Sequence, residues 1–389
     1  MSRFSEVQAE NQERRQRVID GKYNCLPFPF PRFRKVYPGV EQGKFIIITA
    51  NQKVGKSKLA DYLFIYEPLF FMVEHPEANV RVKDIYFSLE MSAKEKYNEF
   101  LCHLLARLDG IHIDTRRLRS VDQPCDPHIF ELLESERYQK YIKAYEDMVI
   151  FNDTDKNPTG IRKFYRDYAL AHGHYNYVTV QETNELTGDM EEKKVLDPIK
   201  PYSQDDPDEW RFIILDNAAN VSTEKNYETP RAAIEKVSKD GINAKKQLNY
   251  IFVLIQHQAQ SQEGVENIKL GRMRPTADGL GDNKTTSRDL NCLIGLYNPA
   301  KFLEETKTEV YKGYNIARLK NYCRFLEIID DRDYGAGGCY IGLFFDGAIS
   351  TFKELPLPED KEALEKYYRY AEYLDSREEQ STLELTHPK

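Results

Sequence analysis

A short loop between a strand and a helix constrains this chain more than any other feature. Residues 44–50 read KFIIITA, a continuous apolar run typical of a strand buried on both faces of a parallel sheet. The next segment, ANQKVGKS at 50–57, has the spacing GxxxxGK[ST] and leads into the helical pattern KSKLADYLFIYEPLFFMV. We therefore predict a phosphate-binding loop. Because Ala50 replaces the first glycine, we expect no positive φ at that position.

The chemistry of such a loop assigns a role to most of its residues. Successive backbone N–H groups face a phosphate, and the helix N-terminus adds the positive end of its dipole. Gly55 permits close backbone approach, Lys56 is predicted to reach the β- and γ-phosphates, and Ser57 to ligate Mg²⁺. The predicted ligands are thus ATP and Mg²⁺; a lysine-rich turn at a helix start is the rival interpretation. The predicted nucleotide-binding residues are Ala50, Asn51, Gln52, Lys53, Val54, Gly55, Lys56 and Ser57.

Polar side chains follow three further apolar runs, at the point where each run ends. Glu90 comes after IYFSL, Asp216 after FIIL, and Gln256 after YIFVLI. Because ligands of open α/β sheets bind at the carboxyl ends of the strands, we expect these three side chains to lie near the phosphate loop. Transfer of a phosphoryl group to water needs a carboxylate for the water, another for the Mg²⁺ shell, and a polar group near the γ-phosphate. Taken singly, an acid after a strand is more often a helix cap.

The order of the elements predicts an α/β fold: a mostly parallel central sheet flanked by helices, with antiparallel strands added at the C-terminal end. We divide the chain into three parts. Residues 1–36 hold a polar helix and a proline-rich tether, in which the prolines impose an extended chain. Residues 37–353 form the core, with an insertion at 174–209 that combines a hairpin with an acidic loop. Residues 354–389 form an acidic helix with a frayed tail.

Composition excludes several classes of protein. Across the 389 residues, Lys and Arg total 55 and Asp and Glu total 63, a net charge of −8 that excludes bulk coating of nucleic acid but permits a local basic channel. Ten acids against five bases in residues 354–389 account for part of that charge. The six cysteines form no CxxC pair, which indicates reduced thiols in a cytosol-like compartment. No run of 18 apolar residues occurs, so no membrane span is predicted.

The residues around the strand ends resemble one family. FSLEMS at 87–92 resembles the segment that carries the catalytic glutamate in the DnaB-type hexameric replicative helicases, and the order of the phosphate loop, FSLEMS, FIILDN and LIQHQ is similar to theirs. The resemblance covers about residues 37–350. It implies a RecA-like P-loop NTPase fold with Lys56 on phosphate, Ser57 and Asp216 on Mg²⁺, Glu90 as the base for water, and Gln256 as the γ-phosphate sensor.

The resemblance also implies an active site between subunits. IARLKNY at 316–322 looks like the family's basic pair, so Arg318 and Lys320 would stabilise transition-state charge on a neighbour's nucleotide. The family usually has Lys and then Arg, so the bidentate role moves here to Arg318. An ordinary solvated strand edge is the alternative for this pair. The implied assembly is a homo-oligomer, a hexameric ring.

The implied single-stranded DNA contacts depart further from the family. GLGDNKTTSRDLN at 279–291 has the position of the family's DNA-facing loop, but the family's arginine falls on Gly281 and its glycine on Lys284. A single cation from each subunit of a ring would still follow a DNA backbone. A solvated basic loop is an equally good interpretation of the basic residues just upstream. The candidate DNA-binding residues are Lys269, Arg272, Arg274, Lys284 and Arg288.

Together these observations predict an ATP-dependent DNA helicase of the DnaB type that acts in replication, in a bacterial or phage-infected cytoplasm, with primase or loader proteins as further partners. The family's N-terminal collar domain is missing from the pattern, which favours a phage or mobile-element version. One alternative is a RecA-class recombination or repair ATPase, against which FSLEMS and the spacing of Arg318 and Lys320 speak. Another is a DnaB-like loader or adaptor without helicase activity, which the loss of arginine at 281 leaves open.

Overall fold

A nine-stranded sheet forms the centre of the computed structural model, which describes residues 3–183, 189–280, 286 and 290–386. In chain order its strands are β1 Phe45–Ala50, β2 Arg81–Ser88, β3 Val149–Asn152, β4 Glu209–Asp216, β5 Ile251–His257, β6 Cys292–Tyr297, β7 Cys323–Asp331, β8 Tyr340–Asp346 and β9 Thr351–Glu354. Across the sheet they follow the order β9-β8-β7-β6-β1-β5-β4-β2-β3. Strands β1 to β6 are parallel, and β7, β8 and β9 add to β6 in antiparallel fashion. The predicted sheet architecture is confirmed.

Helices cover both faces of the sheet. Strand β1 shows why, since Ile46 and Ile48 pack into one hydrophobic cluster while Phe45 and Ile47 pack into another, and all four are fully buried. A strand that is apolar at every position needs cover on both faces. Within the described residues, α-helices span Arg3–Ile19, Pro31–Arg34, Lys56–Asp61, Glu67–Glu74, Ala93–Asp109, Thr115–Leu118, Pro127–Glu134, Glu136–Met148, Pro158–Ala171, Pro230–Leu248, Val265–Lys269, Leu303–Thr306, Ile316–Leu319 and Lys361–Thr386, and a π-helical segment, Tyr62–Tyr66, joins the third and fourth of these.

The proline-rich segment after the first helix differs from its prediction. A one-turn helix, Pro31–Arg34, begins at a proline, a position that tolerates proline because the first turn leaves its N–H groups unbonded anyway. Phe28, Phe30 and Phe33 are buried in the main hydrophobic cluster. The expectation that the prolines keep this segment extended is therefore wrong at these four residues, because its aromatic side chains fasten it to the core.

Two further segments lie outside the central sheet. In the insertion, strands Tyr177–Thr183 and Met190–Leu196 pair as an antiparallel hairpin, and a shorter ribbon joins Gly173–Tyr175 to Tyr202–Gln204. The C-terminal segment forms the helix Lys361–Thr386, which we call the C-terminal helix. In the part of the chain that the structure describes, no helix is both long enough and apolar enough to cross a membrane.

Candidate nucleotide-binding site

The predicted phosphate loop connects β1 to the helix Lys56–Asp61. Ala50 is the last residue of β1, and positive φ angles occur instead at Lys53 (59°) and Gly55 (103°), which confirms the expectation for position 50. A Cβ on Gly55 would lie 2.9 Å from Cζ of Phe345, so both the backbone angle and the space call for glycine there. Both polar atoms of the buried Asn51 amide lack a hydrogen-bond partner among the described residues.

Ser57 and Asp216 meet at the end of the loop. The Ser57 hydroxyl donates a hydrogen bond of 2.8 Å to Oδ1 of Asp216, and the Tyr86 hydroxyl donates one of 2.9 Å to Oδ2. Strand β4 lies beside β2 with Asp216 opposite Ser88, so the carboxylate stands where β2, β4 and the loop converge. A hydroxyl and a carboxylate oxygen this close form a donor set that suits Mg²⁺.

A lysine that the sequence interpretation did not single out stands behind Asp216. Lys96 is 2% exposed, and its Nζ lies 2.8 Å from Oδ2 of Asp61 and 3.4 Å from Oδ2 of Asp216. Burial opposes the charge, but the carboxylates of Asp61, Asp216 and Glu99 outweigh that effect and raise the pKa of Lys96. Lys96 and the Tyr86 hydroxyl thus hold Oδ2 of Asp216, which leaves Oδ1 turned toward Ser57.

Glu90 belongs to a chain of contacts that ends on Lys56. The exposed Glu90 carboxylate accepts a hydrogen bond of 2.6 Å from Nδ2 of Asn217. Nδ2 of Asn217 also lies 3.3 Å from Nε2 of His257, whose Nδ1 is 3.0 Å from Nζ of Lys56. Burial, followed by the charge of Lys56, lowers the pKa of His257 to about 4, so its ring is neutral at pH 7. One nitrogen of a neutral imidazole accepts while the other donates, so His257 accepts from Lys56 or from Asn217, not from both.

Lys56 is itself perturbed. Its side chain is buried, and desolvation lowers its pKa to about 8 although Asp216 and Glu90 act in the opposite sense. Its Nζ also donates to the carbonyl of Asn51 at 3.4 Å. The hydrogen-bond acceptors of this buried ammonium are neutral, so its positive charge has lost water without gaining a counter-charge at hydrogen-bond distance. A bound phosphate would supply that negative charge.

Gln256 occupies the predicted strand end but turns away from the loop. Its Oε1 accepts a hydrogen bond of 3.0 Å from the Thr286 hydroxyl, and its Nε2 lies 3.4 Å from the carbonyl of Leu280. Side chains alternate along a strand, so Gln256 and His257 face opposite sides of β5. Of these two neighbours, His257 contacts Lys56, whereas Gln256 holds the segment predicted to face DNA.

A buried arginine braces the phosphate loop from the antiparallel strands. Arg324 is 1% exposed, and its Nε donates a hydrogen bond of 2.7 Å to the carbonyl of Val54. Its guanidinium lies 4.7 Å from the ring centroid of Phe345, the residue that also abuts Gly55. Burial lowers the pKa of Arg324 to about 9. The loop is therefore fixed by β7 and β8 as well as by the strand that precedes it.

The side chains of the predicted basic pair contact the C-terminal helix of their own chain. Arg318 is in the short helix Ile316–Leu319 and Lys320 follows it in a 3-10 turn, so the pair is not on a strand edge. Arg318 forms hydrogen bonds with Glu365 and Glu372, and Lys320 pairs with Asp375. All three carboxylates belong to the C-terminal helix.

The candidate DNA-binding residues divide into three groups. Lys269 and Arg272 are exposed at and just after the helix Val265–Lys269. Arg274 is half-buried and forms an ion pair of 3.0 Å with Glu327. Lys284 and Arg288, like Gly281, lie outside the described residues.

Sequence reasoning missed Asn217, His257, Lys96 and Arg324. Asn217 and His257 directly follow Asp216 and Gln256, the residues that were predicted at the ends of these two strands. The segment NYIFVLIQHQ at 249–258 held a signal for His257, since it is the only residue of that segment that ordinarily titrates near neutral pH. Lys96 and Arg324 offered no local signal, because their roles depend on contacts with residues 35 to 270 positions away.

Comparison with solved structures identifies the fold. The structure described as the ATPase domain of another protein superimposes with a TM-score of 0.59 at 14% identity, over 92% of this chain and 100% of that chain. A DnaB-like replicative helicase, described with its interactions with primase, superimposes with a TM-score of 0.54 at 14% identity over 85% of this chain. This chain spans 63% of that helicase's length. No protein-family model and no curated protein sequence matches. The chain therefore has the RecA-like fold of the DnaB-type helicase ATPase domain.

Proposed function

We propose that this chain hydrolyses ATP and couples hydrolysis to movement along single-stranded DNA, as a helicase of the DnaB type that acts in replication. The contact between Ser57 and Asp216 is the observation that carries the proposal. A phosphate-loop hydroxyl that meets a strand-end carboxylate is the pairing that P-loop NTPases use for Mg²⁺. Glu90, whose carboxylate accepts a hydrogen bond from Asn217, the residue after Asp216, is the candidate base for the attacking water.

In this proposal each residue has one task. The backbone of residues 50–57 and the Lys56 ammonium bind the phosphates, and binding separates Lys56 from His257. Once Lys56 is withdrawn, His257 is free to accept the hydrogen bond from Asn217, and the hydrogen bond from Asn217 to Glu90 orients the carboxylate toward water. Ser57 and Asp216 would hold Mg²⁺, which neutralises phosphate charge when bound. The buried amide of Asn51, which has no hydrogen-bond partner in the part of the chain that the structure describes, supports the fit of a polar ligand at the loop.

Coupling to DNA is assigned to Gln256. Its carboxamide connects the end of β5 to Leu280 and Thr286, both of which belong to the segment predicted to face DNA. A change at the γ-phosphate that moves the end of β5 would move that segment with it. Lys269 and Arg272, together with Lys284 and Arg288, are the proposed DNA contacts; Arg274 is a weaker candidate because Glu327 already neutralises it.

Assembly completes the proposed site. Arg318 and Lys320 would reach the nucleotide of an adjacent subunit, and a closed ring of six would surround the DNA strand. Primase or loader proteins are the proposed further partners. The C-terminal helix must first release both cations, since it contacts them in the single chain.

The test is the ATPase rate with and without single-stranded DNA, for the wild type and Glu90→Gln, combined with a native mass measurement. We expect DNA to stimulate the wild type and Glu90→Gln to lower kcat by about 10²–10⁴-fold, because general-base catalysis contributes about that much. Glu90→Gln should still bind nucleotide. Glu131→Gln, at another exposed glutamate, is the matched control.

Each outcome separates the alternatives. If the wild type does not hydrolyse ATP, the proposed ATPase activity is refuted. Hydrolysis without DNA stimulation, from a species with monomeric mass, would refute the proposed helicase activity. DNA binding without stimulation would favour the loader or adaptor.

A further inference from the structure

The C-terminal helix occupies the two cations that the proposed function assigns to a neighbouring nucleotide. Arg318 donates from Nη1 and Nη2 to Glu365 at 2.7 and 3.1 Å, and from Nε to Glu372 at 2.7 Å. Its guanidinium also lies 4.7 Å from the ring centroid of Tyr368. Lys320 pairs with Asp375. All three nitrogens of the Arg318 guanidinium are therefore engaged within the chain.

The helix presents these acceptors as a single stripe. Glu365, Tyr368, Glu372 and Asp375 are separated by three, four and three residues, a spacing that keeps them on one face of a helix. Next to this stripe, Leu364, Ala371 and Leu374 are buried in a hydrophobic cluster with Leu319. The apolar contacts thus fasten the C-terminal helix beside the segment 316–320. In this position the carboxylates of the helix face the two cations of that segment, Arg318 and Lys320.

The carboxylates of the C-terminal helix present to Arg318 the same kind of anionic oxygen atoms that a γ-phosphate would present. A guanidinium binds a carboxylate and a phosphate through the same fork of N–H groups, so Arg318 cannot hold Glu365 and a phosphate in bidentate fashion at once. We propose that the C-terminal helix is an autoinhibitory clamp: Glu365, Glu372 and Asp375 hold Arg318 and Lys320 in the isolated chain, and assembly on a nucleotide-loaded neighbour must displace them. This proposal rests on the proposed function and adds a mode of regulation to it.

The exposure of the pairs makes the clamp reversible. The side chains of Arg318 and Lys320 are 34% and 48% exposed, and those of Glu365, Glu372 and Asp375 are 39%, 47% and 26% exposed. Exposed ion pairs are weak and screened by salt, so a divalent cation with a triphosphate at a subunit interface outcompetes them. Buried ion pairs of the same geometry would be harder to displace, because breaking them leaves uncompensated buried charges.

The test compares two double variants of the full chain that lose the same charge from the same helix region. Glu365→Gln/Glu372→Gln removes the partners of Arg318, and Glu359→Gln/Glu362→Gln changes two exposed glutamates at the start of that region. With DNA absent, and at a protein concentration at which native mass shows partial assembly, we expect the first to raise the steady-state ATPase rate about 3- to 10-fold, as the loss of two weak pairs predicts, and the second to stay within about twofold of wild type. Adding Arg318→Ala to the first variant should abolish the gain.

The outcomes keep the clamp and the proposed function apart. If no chain shows hydrolysis that Lys56→Ala removes, the proposed function is wrong. If Lys56-dependent hydrolysis is present but Glu365→Gln/Glu372→Gln is no faster than its control, or is slowed as Arg318→Ala is, the clamp is overturned and the helix merely orients the cations. Should the double variant not fold, Asp375→Asn removes only the partner of Lys320 and must still give a gain, of about twofold.

Discussion

Replacing Lys96 by methionine tests the buried charge cluster behind the proposed nucleotide site. Lys96 and Asp61 are each 2% exposed and 2.8 Å apart, and Asp216 lies 3.4 Å from the same ammonium. Methionine fills a similar volume, so the main consequence is an uncompensated charge. Removing one member of a buried pair costs about 3–5 kcal/mol, and we expect Lys96→Met to lower the free energy of unfolding by that amount.

Urea denaturation followed by circular dichroism measures this effect. The matched control is Lys94→Met, which removes an exposed lysine from the same helix and should change stability by less than about 0.5 kcal/mol. Because the cost comes from the stranded carboxylate, adding Asp61→Asn to Lys96→Met should restore about 1–3 kcal/mol. A loss below about 1 kcal/mol for Lys96→Met, or no recovery in the double variant, would contradict the assignment of Lys96 as the counter-charge of Asp61 and Asp216.

Two further predictions concern the loop and the pH dependence of folding. Gly55→Ala combines φ of 103° with a contact of 2.9 Å to Phe345, so it should weaken nucleotide binding measured by calorimetry at least tenfold; Gly335→Ala, with φ of 68° and open space around it, should not. Burial lowers the pKa of His103 to about 4, below its unfolded value of 6.5. Such a group contributes stability that is present above pH 6.5 and lost as the pH falls toward 4, so going from pH 7 to 5 should cost the wild type about 2 kcal/mol through His103. His103→Phe should show a smaller loss in the same urea titration, and an equal loss would show that other groups govern the pH dependence.

Local sequence patterns predicted the elements whose residues are next to one another in the chain. The apolar run of β1, the loop and the helix start are consecutive, so periodicity and spacing were enough to predict them. Ser57 and Asp216 are far apart in the chain, but parallel strands bring their carboxyl ends to one edge, so the sheet pattern was enough to bring them together as well.

Local patterns did not predict which way a side chain turns at the end of a strand. Gln256 and His257 both stand at the end of β5, and which of them faces Lys56 follows from the register of β5 beside β1, where Gln256 lies opposite Thr49 and His257 opposite Ala50. A one-residue difference in register exchanges the faces of a strand, and no local pattern specified it. The one-turn helix Pro31–Arg34 was also not predicted, because the aromatic residues of that proline-rich segment gain their packing partners only in the folded core.

The sequence by itself determined the fold class of this protein, since a phosphate-loop spacing between a buried strand and a helix and acids at strand ends are local patterns. Only the tertiary structure decided the environment of those residues. Lys96 as counter-charge, Arg324 as brace and the C-terminal helix on Arg318 and Lys320 all join positions 35 or more residues apart. The physical reason is that charge pairing and burial depend on distances in three dimensions. The chain brings these groups together only when its sheet and helices have packed.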